Sequence, residues 1–511
     1  MTRLVVVGNG MVGARFVEDL LAADTAERFE ITVLGAEPCE PYNRVLLSEV
    51  VSGAYELGAL TLATPTCERL TIHRGVQAVL IDRDDRVVVT DNGARFRYDQ
   101  LVLATGSAAR IPPLRGLCGS TDEDPRRLPP GVHALRTIDD AREIVAATLN
   151  AHRAVVLGAG VLGLEAACGL ARRGVAVTVV HPASVVMERQ LDPQASRVVE
   201  DAMVGLGIDH RVGIGADSVR LDRGRLAAVM LANGETLEAQ LLVLATGTTP
   251  AVGLARQAGL ATARGIVVGA DLASPTDRRV FAIGDCAQPP EGGSGLVAQG
   301  WDQARRLAAS LAGAGGGFKV TRDAPNDVVR LKAHGLDVVT MGICGSQRPD
   351  DPAQRTLRLS DPEIGRHVEV VVSGRRLVGA TCVGAGSVAA DLVAAYTRRT
   401  PLPADPAYLL LPALAAQTAA PTDPLDLPPE ATVCRCNSVT KAEITQCVHE
   451  GAQSLADVAQ ATRATTGCGG CADDVCALVN ALGTSHGPRA DGENRFTRGK
   501  HMTTTAEMGA L

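Results

Sequence analysis

With 511 residues, 46% hydrophobic but only 2% aromatic, the chain has room for roughly three or four domains with aliphatic cores. Its net charge of −7 is mild and free of like-charge blocks, which argues against nucleic acid or an anionic membrane as the main partner. Small molecules and other proteins are left, and no apolar run reaches the ~18 to 20 residues of a membrane helix.

The first element, LVVVGNGMVGARFVEDLL (4–21), reads as strand, glycine turn and helix. Its apolar part is too short for a signal peptide and lacks a small-residue cleavage site, so a cytoplasmic location is expected. Thirteen cysteines are then expected as thiols or ligands rather than as disulfides. In the turn, Gly8 makes the tight bend, Gly10 lets backbone approach a pyrophosphate and Gly13 allows close helix–strand packing. The helix N-terminus offers unpaired N–H groups to the phosphates. The next strand, FEITVLGAE, ends in Glu37, where a carboxylate would meet ribose hydroxyls, so an adenine dinucleotide is expected here. LVLATGS (101–107) is a further apolar strand ending in A-T-G.

Residues 154–171, AVVLGAGVLGLEAACGLA, repeat the opening unit, with Gly158, Gly160 and Gly163 in register, and imply a second dinucleotide site. The following strand, VAVTVVH, ends in His181 where the ribose acid would stand. Arg172, Arg173 and Arg189 lie near in sequence but are explained as surface residues, so NADH and NADPH both stay open, leaning to NADH. A second A-T-G closes LLVLATG (241–247), where the chain should return from an inserted domain. VFAIGDC (280–286) ends a buried strand with an acid, Asp285, that needs a polar partner.

These motifs together resemble the two-dinucleotide-domain flavoprotein reductases over about residues 1–400, with YNRVLLSEV (42–50) similar to the ferredoxin-reductase-like branch. The resemblance implies that FAD occupies the first site and NAD(P)H the second. It implies further that Asp285 binds the ribityl chain, that Arg44 sits near the FAD pyrophosphate, and that Thr105 and Gly106 line the flavin. Glu165 would lie near the nicotinamide, positioning rather than reacting, with Gly247 at its border. Cys39 has no partner five residues on and stands too early for a single-cysteine disulfide reductase, so a dithiol mechanism is disfavoured.

Residues 320–400 read as a small α/β unit, with strands in VVRLKAHGLDVVTMG and HVEVVVSGRRLVGATCVG and a helix in SVAADLVAAYTRR. In the resembled flavoproteins such a domain helps form dimers, so a homodimer is expected. The proline-rich residues 401–430 read as a linker. Segment 431–483 opens with Cys434 and Cys436 and closes with Cys468 and Cys471, separated by 31 residues holding two short helices begun by the capping boxes TKAE and SLAD. Cys447 and Cys476 are expected as core thiols on helical faces.

Four such cysteines suit zinc or a two-iron cluster. A flavoprotein can use a one-electron carrier, and zinc has no redox chemistry, so [2Fe-2S] is favoured. The spacing also resembles the bacterioferritin-associated-ferredoxin-like [2Fe-2S] domain.

The predicted fold is α/β: two Rossmann-like domains, FAD-binding (1–125 and 245–315) with an inserted NAD(P)-binding domain (126–244), an α/β interface domain (320–400), the linker (401–430), a helical [2Fe-2S] domain (431–483) and a disordered tail (484–511). This combination resembles the electron-transfer portion of assimilatory nitrate and nitrite reductases. It implies an NAD(P)H-dependent FAD oxidoreductase that sends electrons through the cluster to a separate catalytic nitrate or nitrite reductase chain, because the sequence ends before a second cysteine set appears. The alternatives are a ferredoxin- or rubredoxin-type reductase for another acceptor, and a zinc-binding or redox-sensing interaction protein.

Overall fold

The structure, a computed structural model, describes residues 1–117, 128–313, 327–346, 351–412, 424–434, 437, 439–467 and 470–483. The expected tail at 484–511, Cys436 and Cys468 lie outside the described residues. The larger of two compact units extends to about residue 421, and the smaller holds described residues 424–465 and 470–483.

Two five-stranded parallel sheets form the frame of the larger unit. In the first, the strands lie in the order Val280–Ala282, Gln100–Leu103, Thr2–Val7, Phe29–Gly35, Leu70–Arg74. In the second the order is Ile208–Val212, Ala176–His181, Arg153–Leu157, Leu241–Leu244, Val132–Ala134. Both are Rossmann-like, with near-continuous β-branched and Leu strands because both faces are buried. The chain leaves the first sheet after Leu103, builds the second between Val132 and Leu244, and rejoins the first at Val280. Between the sheets, Ser107–Ala109 pairs antiparallel with Thr248–Pro250. The threonines of the two A-T-G turns mirror each other across this ribbon: Thr105 Oγ1 donates to Ala251 O (2.9 Å), and Thr246 Oγ1 donates to Arg110 O (2.6 Å).

Each sheet carries a three-stranded antiparallel meander that the sequence pattern did not reveal, Ala78–Arg97 in one and Ala216–Glu238 in the other. A third, antiparallel sheet runs Val329–Arg330, Val338–Gly342, Arg376–Val383, Arg366–Ser373, Gln354–Asp361, with helix Gly386–Thr397 packed on it. Its outer strand was also unforeseen, since QRTLRLSD is an edge with few buried residues.

In the smaller unit a short ladder, Thr432–Cys434 with Val439–Thr440, precedes helices Lys441–His449, Leu455–Thr462 and Ala472–Gly483. The first two begin in reciprocal capping boxes, Thr440 with Glu443 and Ser454 with Asp457. Cys447 is buried in the small core, but Cys476 is exposed, which corrects the expectation for it. The buried face of the last helix is Val475, Leu478 and Val479, and position 476 lies off that stripe.

The glycine turns of the two parallel sheets are near copies. Gly8 and Gly158 have φ of +118° and +107°, and a Cβ on either would overlap the carbonyl of Ala104 or Ala245 on the neighbouring strand. A Cβ on Gly13 or Gly163 would overlap the carbonyl oxygen of Gly8 or Gly158. A Cβ on Gly10 or Gly160 would meet nothing within 4 Å. Gly13→Ala and Gly163→Ala should therefore each lower stability by about 1–3 kcal/mol, the usual cost of overpacking. Gly10→Ala and Gly160→Ala should stay within about 0.5 kcal/mol of the parent. Denaturant midpoints check this, and equal losses at all four positions would contradict the assignment of packing to the third glycine of each turn and not to the second.

Candidate functional site

The first glycine turn presents an open cradle. Helix Met11–Ala23 starts at Gly10 with no side chain capping its first turn, so its N–H groups are free for an anion. Asn9, in the middle of the turn, has its Nδ2 buried without a hydrogen-bond partner. An orphaned donor, an open second glycine and an uncapped helix fit a dinucleotide phosphate at this place.

Around that cradle the predicted residues meet. Glu37 accepts from Tyr42 Oη (2.7 Å) and forms an ion pair with Arg44. The Arg44 guanidinium lies over the Tyr42 ring at 4.8 Å from its centroid, and its Nη1 donates to Arg136 O (2.8 Å). Burial, first, pushes the Tyr42 phenol well above its ordinary range, so it stays a donor to Glu37. Asp285, on the turn after Val280–Ala282, accepts from Ser107 Oγ (2.7 Å) and from Arg136 Nη2 (2.9 Å), while Arg136 Nε donates to Ser107 O (3.0 Å). Asp285 and Ser107 line a cleft with Thr248, Gly284 and Gln303. The polar partner demanded for Asp285 is thus Arg136, which sequence reasoning missed; its one signal was a basic residue before the helix at Ile138. Thr105 and Gly106 form the turn beside this cleft, and Gly247 stands at the equivalent turn of the second sheet.

In the second sheet the uncapped helix Val161–Arg172 starts at Gly160 in the same way. Glu165, one turn in, is only 3% exposed. It accepts from Ser48 Oγ (2.6 Å) and pairs with Lys332 Nζ (2.7 Å), whose backbone N–H also donates to it (3.0 Å). Three segments distant in sequence are joined by this buried pair, and removing one partner of such a pair commonly costs about 3–5 kcal/mol. Neither Ser48 nor Lys332 was foreseen. Burial first, and the Glu165 charge second, push the Cys168 thiol up to about 12. Cys39 is raised by burial and then by Glu37, and the fully buried Cys286 is raised chiefly by burial. A thiol raised in this way stays protonated at neutral pH, which argues against a thiolate role for these three. His181, at the end of its strand, is 8% exposed and hydrogen-bonded at both ring nitrogens, to Ala159 N and to Glu188.

In the smaller unit Cys434 and Cys471 are buried in one core with Val433, Ile444 and Val475. Asn437 Nδ2 donates to Arg463 O (2.7 Å) and lies 3.9 Å from Cys434 Sγ, an N–H aimed at a candidate ligand sulfur. Two cysteines buried in one core, one of them with such a donor beside it, fit a cluster or metal bound through sulfur.

The profile of the pyridine nucleotide-disulphide oxidoreductase family matches residues 2–306, and that of the BFD-like [2Fe-2S] binding domain matches residues 432–481. The chain is 31% identical over 474 residues to the assimilatory nitrate reductase electron transfer subunit of Bacillus subtilis, covering 92% of this chain and 58% of that one. It is 32% identical over 486 residues to the nitrite reductase (NADH) large subunit of Escherichia coli, covering 94% and 55%. The chain thus spans little more than half the length of these relatives. Among solved structures, the covalent putidaredoxin reductase–putidaredoxin complex aligns with a TM-score of 0.69 at 26% identity, over 82% of this chain and 99% of that one. With both glycine cradles, the first sheet's acids Glu37 and Asp285 and the family profile over residues 2–306 in agreement, the chain belongs to the pyridine nucleotide-disulphide oxidoreductase family and carries a BFD-like [2Fe-2S] binding domain at 432–481.

Proposed function

We propose that this protein takes electrons from NAD(P)H through FAD and a [2Fe-2S] cluster and delivers them to a catalytic nitrate or nitrite reductase on a separate chain. The observation that carries the reading is the presence, in one chain, of two dinucleotide cradles and a four-cysteine BFD-like domain. A flavin turns the two-electron chemistry of a reduced nicotinamide into single-electron traffic, which a two-iron cluster can accept.

In this reading Gly8, Gly10 and Gly13 cradle the FAD pyrophosphate, Glu37 receives its adenosine ribose, and Arg44 neutralises charge near the phosphates. Thr105, Gly106 and Asp285 line the flavin end, with Arg136 holding the Asp285 carboxylate in place. Gly158, Gly160, Gly163 and His181 hold the NAD(P)H half, and Glu165 and Gly247 border the nicotinamide. Because Glu165 is buried and saturated by Ser48 and Lys332, it orients its helix and transfers no proton. Cys434, Cys436, Cys468 and Cys471 hold the cluster. The reading keeps the domain limits expected from the sequence, and the names of the two long relatives support the acceptor class. No helix among the described residues is long and apolar enough to cross a membrane. A reducing cytoplasm suits thirteen cysteines, and the reading includes a homodimer.

Cys468→Ser should lower iron content and abolish NAD(P)H-dependent reduction of a one-electron protein acceptor while bleaching of the flavin by NAD(P)H persists. Equal loss of both activities would assign the cysteine to folding. Mixing the protein with a purified nitrate or nitrite reductase catalytic chain should give coenzyme-dependent nitrite or ammonia, and no product with either chain would overturn the acceptor class.

Asp285→Ala should weaken flavin retention by about tenfold to a hundredfold, since hydrogen bonds to a charged group contribute roughly 1.5–3 kcal/mol. The flavin-to-protein ratio after dialysis reads this directly, and full occupancy would refute the role given to Asp285.

A further inference from the structure

The second cradle has no acid at the end of its strand, yet the fold brings one there. His181 Nδ1 accepts the N–H of Ala159, the middle residue of the glycine turn, at 3.2 Å. With Nδ1 an acceptor, the ring proton sits on Nε2, which faces Glu188 Oε2 at 3.1 Å. The Glu188 side chain is 30% exposed, so the carboxylate is held on one side and open on the other.

Its placement is built from several directions. The N–H of Met187 donates to Ala159 O (2.9 Å), so both backbone groups of Ala159 are taken by residues flanking or contacting Glu188. Met187 is in the left-handed region at φ 47° and is buried, a conformation that a non-glycine residue holds only when its surroundings impose it. From the third sheet's unit, Ser346 donates to the Glu188 carbonyl through Oγ (3.0 Å) and through its backbone N–H (3.3 Å). Gly345, at φ +81°, lets that segment press on the Arg189 carbonyl.

A carboxylate at the end of the second strand of a dinucleotide unit accepts from the ribose hydroxyls and repels a 2′-phosphate. We propose that Glu188, oriented by His181, is that carboxylate, and that it makes the site selective for NADH over NADPH. This rests on the reading of the second unit as the NAD(P)H site. Glu188 is then the specificity-determining residue, His181 a positioning residue, and the exposed guanidinium of Arg189 takes no part in coenzyme choice.

The test is calorimetric titration of the flavin-loaded protein with NAD⁺ and NADP⁺, with KM and kcat for NADH and NADPH measured using ferricyanide, a small acceptor that bypasses the cluster. The wild type should favour NADH by about tenfold or more, the scale of one charged hydrogen bond. Glu188→Gln should erase most of that preference through KM with kcat nearly constant, and Glu188→Arg should reverse it. His181→Ala should follow Glu188→Gln, whereas Arg189→Ala should leave the preference unchanged. An equal or better use of NADPH by the wild type, an unchanged ratio in Glu188→Gln, or a loss of preference for NADH in Arg189→Ala each overturns the proposal while leaving the NAD(P)H site standing. Failure of both coenzymes to bind the wild type would overturn the site and the proposal together.

Discussion

Both nucleotide cradles depend on one close approach: a helix pressed onto the strand turn that precedes it, at a distance only glycine permits. Gly13 against Gly8 and Gly163 against Gly158 fix where each helix begins, and the carbonyls of Ala104 and Ala245 fix the turn from the neighbouring strand. Because the helix start is also where unpaired N–H groups collect, the packing that sets the turn also sets where an anion could be received. The second glycine of each turn is left without neighbours, so the surface that must meet the ligand is the one part of the turn that the fold does not use.

Around these turns the acids are organised by bases brought from far along the chain. Asp285 meets Arg136 across 149 residues and Glu165 meets Lys332 across 167. Glu37, in contrast, is held locally by Tyr42 and Arg44, and the stacked guanidinium and phenol give it two fixed partners. A carboxylate already oriented by such partners loses little freedom when a ligand arrives, which is how a mostly apolar α/β frame can offer precise polar contacts. The Thr105 and Thr246 hydrogen bonds across the connecting ribbon tie the two frames at the point where the chain passes between them.

What could be read from the sequence was whatever is local. Glycine turns, strand-end acids and capping boxes are patterns of a few residues with a direct steric or hydrogen-bonding cause, and Gly8, Glu37, Thr440 and Ser454 stand where those causes put them. Arg136, Ser48 and Lys332 were illegible because an isolated basic or hydroxyl residue says nothing about which acid the fold will bring to it. Cys476 shows the limit of periodicity: one residue beyond Val475 is about 100° around the helix, enough to move a side chain from core to solvent. The meanders at 78–97 and 216–238 escaped notice since their outer strands have few buried residues to set an alternation, while the middle strands, with Val88, Val229 and Leu231, reach the core. His181 was located correctly at its strand end, but its tie to Ala159 and Glu188 needed the folded loop.

The smaller unit raises a different physical question, namely how so few residues hold a fold. Among the described residues its core comprises twelve buried side chains, all aliphatic or cysteine, with no aromatic among them. A domain of about fifty residues buries too small a share of its surface to be more than marginal by apolar burial alone. The three helices are well capped at their first two starts, which adds only about 1 kcal/mol each. Sulfur bonds to metal supply what such a core lacks, because a site assembled only in the folded state contributes its binding free energy to folding. Cys434 and Cys471, buried inside the core rather than displayed on its surface, are placed for that double duty. The thiolates that would carry electrons would then also hold the domain together, so loss of the cluster and loss of the fold are expected to be coupled in this unit and independent in the larger one.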